Sequence, residues 1–308
     1  MTSDSRTYLD PEVLDRVSGL ELKARLIVEG YISGLHRSPF RGFSVEFAEH
    51  REYVPGDDMR FLDWKVFGKT DRLYIKRYEE ETNLEAQLLV DCSASMTYSD
   101  IQSDGSRKGP TKFEYACWAA AALAYLAIHQ QDSAGLVLFD EGIRRVVPSS
   151  SNKANLRNII HELEQAKPSE GTGIARALGE AGEAVRRRGL VVLFSDLMDD
   201  PDDILRGLKQ VRNRGHEVLL FHVLAHDELT FPFQRLTRFE GLEDVAHLTA
   251  DPVSLRDAYL SEVRAFQRRL RRVCLANRID LVSLDTSESL GPVLSAYLAK
   301  RAAAKGRA

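Results

Sequence analysis

Short apolar runs alternate with longer amphipathic ones along most of the chain. Residues 88–90, 133–139, 190–194, 218–224 and 281–284 are compact Leu/Val/Phe-rich stretches, several of them ending in an acid. Runs of this length without polar alternation read as strands buried on both faces. Between them, 152–166, 174–188 and 255–277 repeat apolar residues at helical spacing, and the Ala-rich stretch 112–131 is apolar almost all round. Such a helix is predicted to be buried against the sheet. Asp140-Glu141-Gly142 followed by 143–147 predicts a hairpin and one antiparallel edge strand. The alternation implies right-handed crossovers: an α/β fold with a doubly wound, mostly parallel sheet covered on both faces. Residues 225–250 read as an inserted loop and hairpin, and a closing helix follows 281–284.

The first 83 residues have a different texture. Apolar residues between 10 and 34 predict one or two helices, with Pro11 at a helix start. From Gly34 to Asn83, turn signals such as Val54-Pro55-Gly56-Asp57-Asp58 separate short aromatic-rich, extended pieces crowded with charges of both signs. Mixed charge of this kind usually marks a solvated, salt-bridged face. Interleaved aromatics and arginines also suit a recognition surface. The expected division is an N-terminal helical and β-rich extension, 1–83, and a main domain, 84–308. The polar stretch 99–110 reads as a loop.

Chemistry concentrates at strand ends. Leu88-Leu89-Val90 runs into Asp91-Cys92-Ser93-Ala94-Ser95, placing oxygen-bearing side chains at alternate positions where open α/β sheets bind ligands. Oxygen donors without His or Cys suit a hard cation, Mg²⁺ before Zn²⁺. Taken alone, the same residues serve equally as a strand end and a helix cap. Gly171-Thr172-Gly173-Ile174, opening a helix, and Val191-Val192-Leu193-Phe194-Ser195-Asp196 add a hydroxyl and a second acid. In a parallel sheet these ends share one edge, so Asp91, Ser93, Ser95, Thr172 and Asp196 can converge. The acids 199–203 instead read as a helix start, with Asp200 as cap and Pro201 in the first turn.

That order of motifs resembles the metal-ion-dependent adhesion site of von Willebrand factor type A domains, with every family position filled. The resemblance implies a Mg²⁺ or Mn²⁺ site. Ser93 and Ser95 would be direct ligands, Thr172 direct or through water, and Asp91 and Asp196 would act through water or as acceptors for the hydroxyls.

Composition adds bounds rather than a function. A chain of 308 residues with 44% hydrophobic and 29% charged residues and a net charge of −4 is ordinary for a globular protein and gives no global case for nucleic acid. Basic clusters at 186–188 and 268–272 lie on amphipathic helices and read as solvated faces. The apolar run 116–128 is short of the roughly 20 residues of a membrane span. No signal peptide is evident at the start, and Cys92, Cys117 and Cys274 are scattered, so a reduced, cytoplasmic protein is expected.

A second resemblance rests on Gly34-Leu35-His36-Arg37-Ser38-Pro39, Glu46-Phe47-Ala48-Glu49-His50-Arg51-Glu52-Tyr53, Pro55-Gly56-Asp57-Asp58, Asp63-Trp64-Lys65 and Lys69-Thr70-Asp71-Arg72, running on through Glu80-Glu81-Thr82-Asn83 to Asp91. This block looks like the signature of the bacterial "domain of unknown function 58" proteins. The resemblance implies a MoxR-type AAA+ ATPase as partner and chaperone-like maturation of an unidentified protein client. Arg51, Asp58, Trp64 and Arg72 are the expected docking residues. An enzymatic alternative, a haloacid-dehalogenase-type phosphohydrolase, needs a second carboxylate where Ser93 stands. Neither a P-loop nor a complete dinucleotide fingerprint occurs. A non-catalytic, metal-dependent binding module is therefore the expectation, with a metal-free scaffold as the other alternative.

Overall fold

The computed structural model describes residues 19–35, 50–52, 66–68, 72–76, 84–102, 105–169, 171, 173–184, 189–239, 248–294 and 296. Two compact units divide the chain, one of residues 38–83 and the other of 1–37 with 84–308.

The larger unit is built on six strands: β1 (Glu85–Asp91), β2 (Ser133–Phe139), β3 (Ile143–Ser150), β4 (Leu190–Ser195), β5 (Glu217–Leu224) and β6 (Asp280–Asp285). They lie in the order β3-β2-β1-β4-β5-β6. All pairs are parallel except β2 with β3, the expected antiparallel edge. The chain thus winds outward from β1 in one direction and then from β4 in the other. That reversal leaves a crevice at the carboxyl ends of these two neighbours.

Side chains on a strand alternate between faces. Leu88 and Val90 of β1 enter one buried cluster and Leu89 enters the other. Both faces are apolar because both are covered, which is why the strands read as unbroken runs. Helices α1 (Leu20–Leu35), α2 (Lys112–His129) and α3 (Lys153–Gln165) contribute to the first cluster. Helices α4 (Ile174–Ala184), α5 (Pro201–Asn213) and the second half of α7 (Pro252–Ala276) contribute to the second. A five-residue helix, α6 (His226–Thr230), follows β5. Ala119-Ala120-Ala121-Ala122 are all buried, so α2 is covered right round its axis at this turn, and Phe194 stacks on Phe221 across adjacent strands at 4.9 Å.

Local signals start the helices. Thr111 caps α2 in a reciprocal capping box with Glu114. Asp200 caps α5, with Pro201 at its first position and Asp202 and Asp203 in its first turn. Helix α1 starts with the Leu20 amide on Glu164, and Lys23 lies over the Trp118 ring at 4.4 Å.

The 99–110 stretch departs from the expected loop. Asp100–Ile101 pairs with Arg107–Lys108 as a short antiparallel hairpin. Its cause is remote: the Asp227 amide donates to Asp100 and the Ile101 amide donates to Asp227. The insertion carries the expected hairpin, Thr237–Phe239 with Leu248–Ala250.

In the smaller unit His50–Glu52 pairs antiparallel with Tyr74–Lys76, setting Arg51 opposite Ile75, and residues 66–68 form a helical turn. Arg72 is exposed. Asp58 and Trp64 lie outside the described residues, as do 1–18 and 185–188.

Candidate metal centre at the switch point of the sheet

Asp91 is the last residue of β1 and Ser195 the last of β4, so the two strands that border the crevice also supply its first polar groups. Asp91 is fully buried. One of its carboxylate oxygens accepts the Ser93 amide at 2.9 Å and the other the Ser195 hydroxyl at 2.6 Å. Ser195 Oγ in turn accepts the Leu197 amide at 2.9 Å. Leu197 has φ +58°, a left-handed conformation that turns the chain sharply after β4. Asp196 is thereby carried into the crevice and buried.

After β1 the backbone enters a 3₁₀ turn, Ala94–Thr97, that brings Ser93 Oγ and Ser95 Oγ to 3.0 Å from each other. Both serines are buried. The Ser169 amide donates to the Cys92 carbonyl at 2.9 Å, and Ser169 Oγ donates to Asp140 at 2.6 Å, fastening the segment before the Gly-Thr-Gly loop to the same edge. Gly171 has φ +87°. A Cβ on Gly173 would sit 2.5 Å from the Glu141 carbonyl oxygen, so this loop is pressed against the β2–β3 turn. Thr172 itself lies outside the described residues. Of the expected donors, then, Asp91, Ser93, Ser95 and Asp196 are brought to one edge.

The sequence reading missed two participants. Ser195 looks like the end of a strand, yet it clamps Asp91. Lys112, the first residue of α2, is only 1% exposed and donates to Asp196 Oδ2 at 2.7 Å and to Glu228 Oε1 at 2.8 Å. Glu228 Oε2 accepts the Ala225 amide at 2.8 Å. The sequence carries no signal for Lys112, since a lysine that opens a helix ahead of Glu114 reads as an ordinary first-turn residue; its burial is what demands a partner.

Electrostatics define the site further. Burial first, and then the charge of Asp196, push the Asp91 carboxyl up to about 7, against the pull of its bonds to Ser195 and Ser93. Burial opposes the charge on Lys112, but Asp196 and Glu228 together hold its pKa above the usual value, so it is an ammonium. Burial pushes His222 down to about 4. The neutral ring places Nε2 3.1 Å from the Asp196 carbonyl oxygen, to which it donates.

Among the described residues no three His, Cys, Asp or Glu side chains cluster as a metal site, and the donors here are hydroxyls mixed with carboxylates. All are hard oxygens, and Asp91 is a carboxylate whose charge its surroundings penalise. The donor set fits a hard divalent cation, whose charge would reverse that penalty.

Gly173→Ala is expected to cost about 1–3 kcal/mol, since the clashing atom belongs to backbone and cannot rotate away. Urea unfolding measures this, and wild-type stability would show that the loop yields freely.

These features define a doubly wound α/β protein with a hydroxyl–carboxylate site at its switch point. The chain belongs to the family described as "Protein of unknown function DUF58", which it matches over residues 49–269. It is similar to the uncharacterized protein Rv1480 of Mycobacterium tuberculosis and the uncharacterized protein Mb1516 of Mycobacterium bovis. Identity to each is 26% over 298 residues, covering 95% of this chain and 90% of the relative. Among solved structures, BatB from Bacteroides thetaiotaomicron aligns with a TM-score of 0.45 at 17% identity, covering 71% of this chain and 98% of that one. An aerotolerance-related membrane protein from Bacteroides fragilis aligns with a TM-score of 0.47 at 17% identity, covering 70% and 99%. No helix among the described residues is long and apolar enough to cross a membrane.

Proposed function

We propose that this protein is a non-catalytic, divalent-metal-dependent protein-binding module of the von Willebrand factor type A kind. In this reading it acts with a MoxR-type AAA+ ATPase in the chaperone-like maturation of a protein client. The observation that carries the metal-site reading is the gathering of Asp91, Ser93, Ser95 and Asp196, all buried, at the switch point. The ATPase and the client rest on the family resemblance alone.

Ser93 and Ser95 would hold Mg²⁺ or Mn²⁺ directly, with Thr172 as a third hydroxyl, while Asp91 and Asp196 orient hydroxyls or bound water. When bound there, the ion supplies an electrophilic centre able to accept a carboxylate from a partner. The chain's own groups favour that role. Both oxygens of Asp91 are engaged by Ser93 and Ser195, and one oxygen of Asp196 is engaged by Lys112, so hydrogen bonds already occupy part of both carboxylates. Ser93 stands where a phosphohydrolase of the haloacid dehalogenase type would need a proton donor, which supports binding over catalysis. Arg51, Asp58, Trp64 and Arg72 of the 38–83 unit are assigned to a second docking surface.

The test mixes purified protein with the MoxR-type ATPase of the same cell in Mg²⁺ and in EDTA. Binding is expected in Mg²⁺ and to fall at least about tenfold in EDTA or for the Ser93→Ala/Ser95→Ala double variant, the change made by roughly 1.4 kcal/mol. Melting of that variant without metal must still show a cooperative transition, at some loss of stability, because the Ser93 hydroxyl also bonds the buried Asp91 carboxylate. Equal binding in every arm would refute the metal bridge.

A further inference from the structure

Resting on the metal-site reading above, we infer that Lys112 is a resident cation of the site: it competes with the divalent ion for Asp196 and has a second seat on Glu228. Lys112 thereby sets the metal affinity of the protein.

The geometry has three parts. The ammonium is buried in a fixed place at the start of α2, whose first turn is pinned by the Lys112 amide on the Tyr98 carbonyl and by the Thr111–Glu114 capping box. It is shared between Asp196, at 2.7 Å, and Glu228, at 2.8 Å. The two acids differ in depth: the Asp196 side chain is fully buried, whereas that of Glu228 is 20% exposed.

Both oxygens of Asp196 are already engaged. Its Oδ2 takes the ammonium and its Oδ1 accepts the Met198 amide at 3.3 Å. A divalent ion, or water bound to it, that draws on Asp196 must share this carboxylate with Lys112, and two cations on one buried carboxylate repel strongly in a poorly polarisable interior. Glu228 offers the relief. It already holds the ammonium, so Lys112 can transfer its share there without leaving its cavity or crossing an apolar region. Glu228 is itself fixed, because its other oxygen holds the Ala225 amide. The neighbouring Asp227 is tied to the 100–101 strand. The second seat is thus part of a braced structure and not a surface side chain.

The reading predicts opposite effects for two substitutions that both disrupt the same ion pair. Lys112→Met removes the competitor while keeping length and apolar packing, and should tighten Mn²⁺ binding by roughly tenfold or more. Glu228→Gln removes the second seat, leaves the ammonium wholly on Asp196, and should weaken Mn²⁺ binding by a similar factor. If Glu228 acts through Lys112, its substitution should lose most of that effect when made together with Lys112→Met. A purely structural ion pair would weaken binding in both single variants.

The experiment is a Mn²⁺ titration followed by electron paramagnetic resonance at fixed ionic strength, on the full chain and the three variants. Tighter binding by Lys112→Met and weaker binding by Glu228→Gln, with the effect of Glu228→Gln suppressed in the double variant, support the inference. Unchanged or weaker binding by Lys112→Met, or unchanged or tighter binding by Glu228→Gln, overturns it while leaving the metal site intact. If Lys112→Met does not fold, Lys112→Gln takes its place in the single and double variants and is judged by the same criterion. Absence of Mn²⁺ binding in wild type and every variant overturns the metal-site reading itself, and the inference with it.

Discussion

In EDTA, Lys112→Met is expected to lower the unfolding free energy by about 3–5 kcal/mol, the usual cost of removing one partner from a buried ion pair. The substitution leaves Asp196 without its ammonium while the side chain stays fully buried. It also leaves Glu228 to recover solvation from a partly exposed position, so most of the loss belongs to Asp196. The control is Asp196→Asn in the same background. Neutralising the orphaned acid should restore much of the stability, whereas Asp196→Asn alone should cost less than Lys112→Met, because the ammonium it releases keeps Glu228. Excess Mg²⁺ should also restore part of the loss, as an ion preferring the folded state stabilises it by mass action. Urea unfolding in EDTA, with unchanged slopes, provides the measurement. A loss below about 1 kcal/mol, in the range of exposed ion pairs, would mean that the Lys112–Asp196 pair does not behave as a buried one.

This prediction depends on a residue that the sequence alone did not assign, and the reason is physical. Strands β1, β4 and β5 were legible because burial on both faces writes an unbroken apolar run, and Asp91, Ser93 and Ser95 followed because they sit directly after one such run. Asp196 was legible for the same reason. Lys112 and Ser195 were not, because their roles are contacts between residues 84 and 104 positions apart that leave no local period. A lysine opening a helix resembles any solvated first-turn residue until α2 is seen lying under the crevice. The 99–110 hairpin was missed likewise: turn-rich composition reports the lack of an apolar core, but not that the Ile101 and Asp227 amides donate to the carboxylates of Asp227 and Asp100. The family, by contrast, was legible from the residues of the block that runs from Gly34 to Asp91. The proposed ATPase partner comes from that family resemblance and has no counterpart in any single contact.

Two buried groups beside the site should give metal-free protein a pH profile in which their contributions cancel. His222 has an ordinary pKa of 6.5 and is pushed down to about 4 in the fold, chiefly by burial. Between those values the unfolded chain binds the extra proton, so this group makes stability rise with pH. Asp91 has an ordinary pKa of 3.8 and is pushed up to about 7, first by burial and then by Asp196. Over that range the folded protein binds the extra proton, so this group makes stability fall as pH rises. Each slope is at most about 1.4 kcal/mol per pH unit, and from about pH 4 to 6.5 they oppose each other. Removing one group should expose the other. In EDTA, His222→Gln should lose stability relative to wild type as pH rises through this window, by roughly 3 kcal/mol in all. Asp91→Asn should gain by a similar amount over the same window. Differences between variants cancel the other titrating groups, including His226, whose pKa Asp285 raises in every variant alike. Saturating Mg²⁺ should make the wild-type profile resemble that of Asp91→Asn, because a cation at the site keeps Asp91 ionised in the folded state and removes its slope. Urea midpoints at several pH values between 4.5 and 6.5, in EDTA and in Mg²⁺, decide the matter. Parallel profiles for wild type and both variants would show that neither buried group titrates as its surroundings dictate. A Mg²⁺ profile parallel to that in EDTA would place the cation away from Asp91.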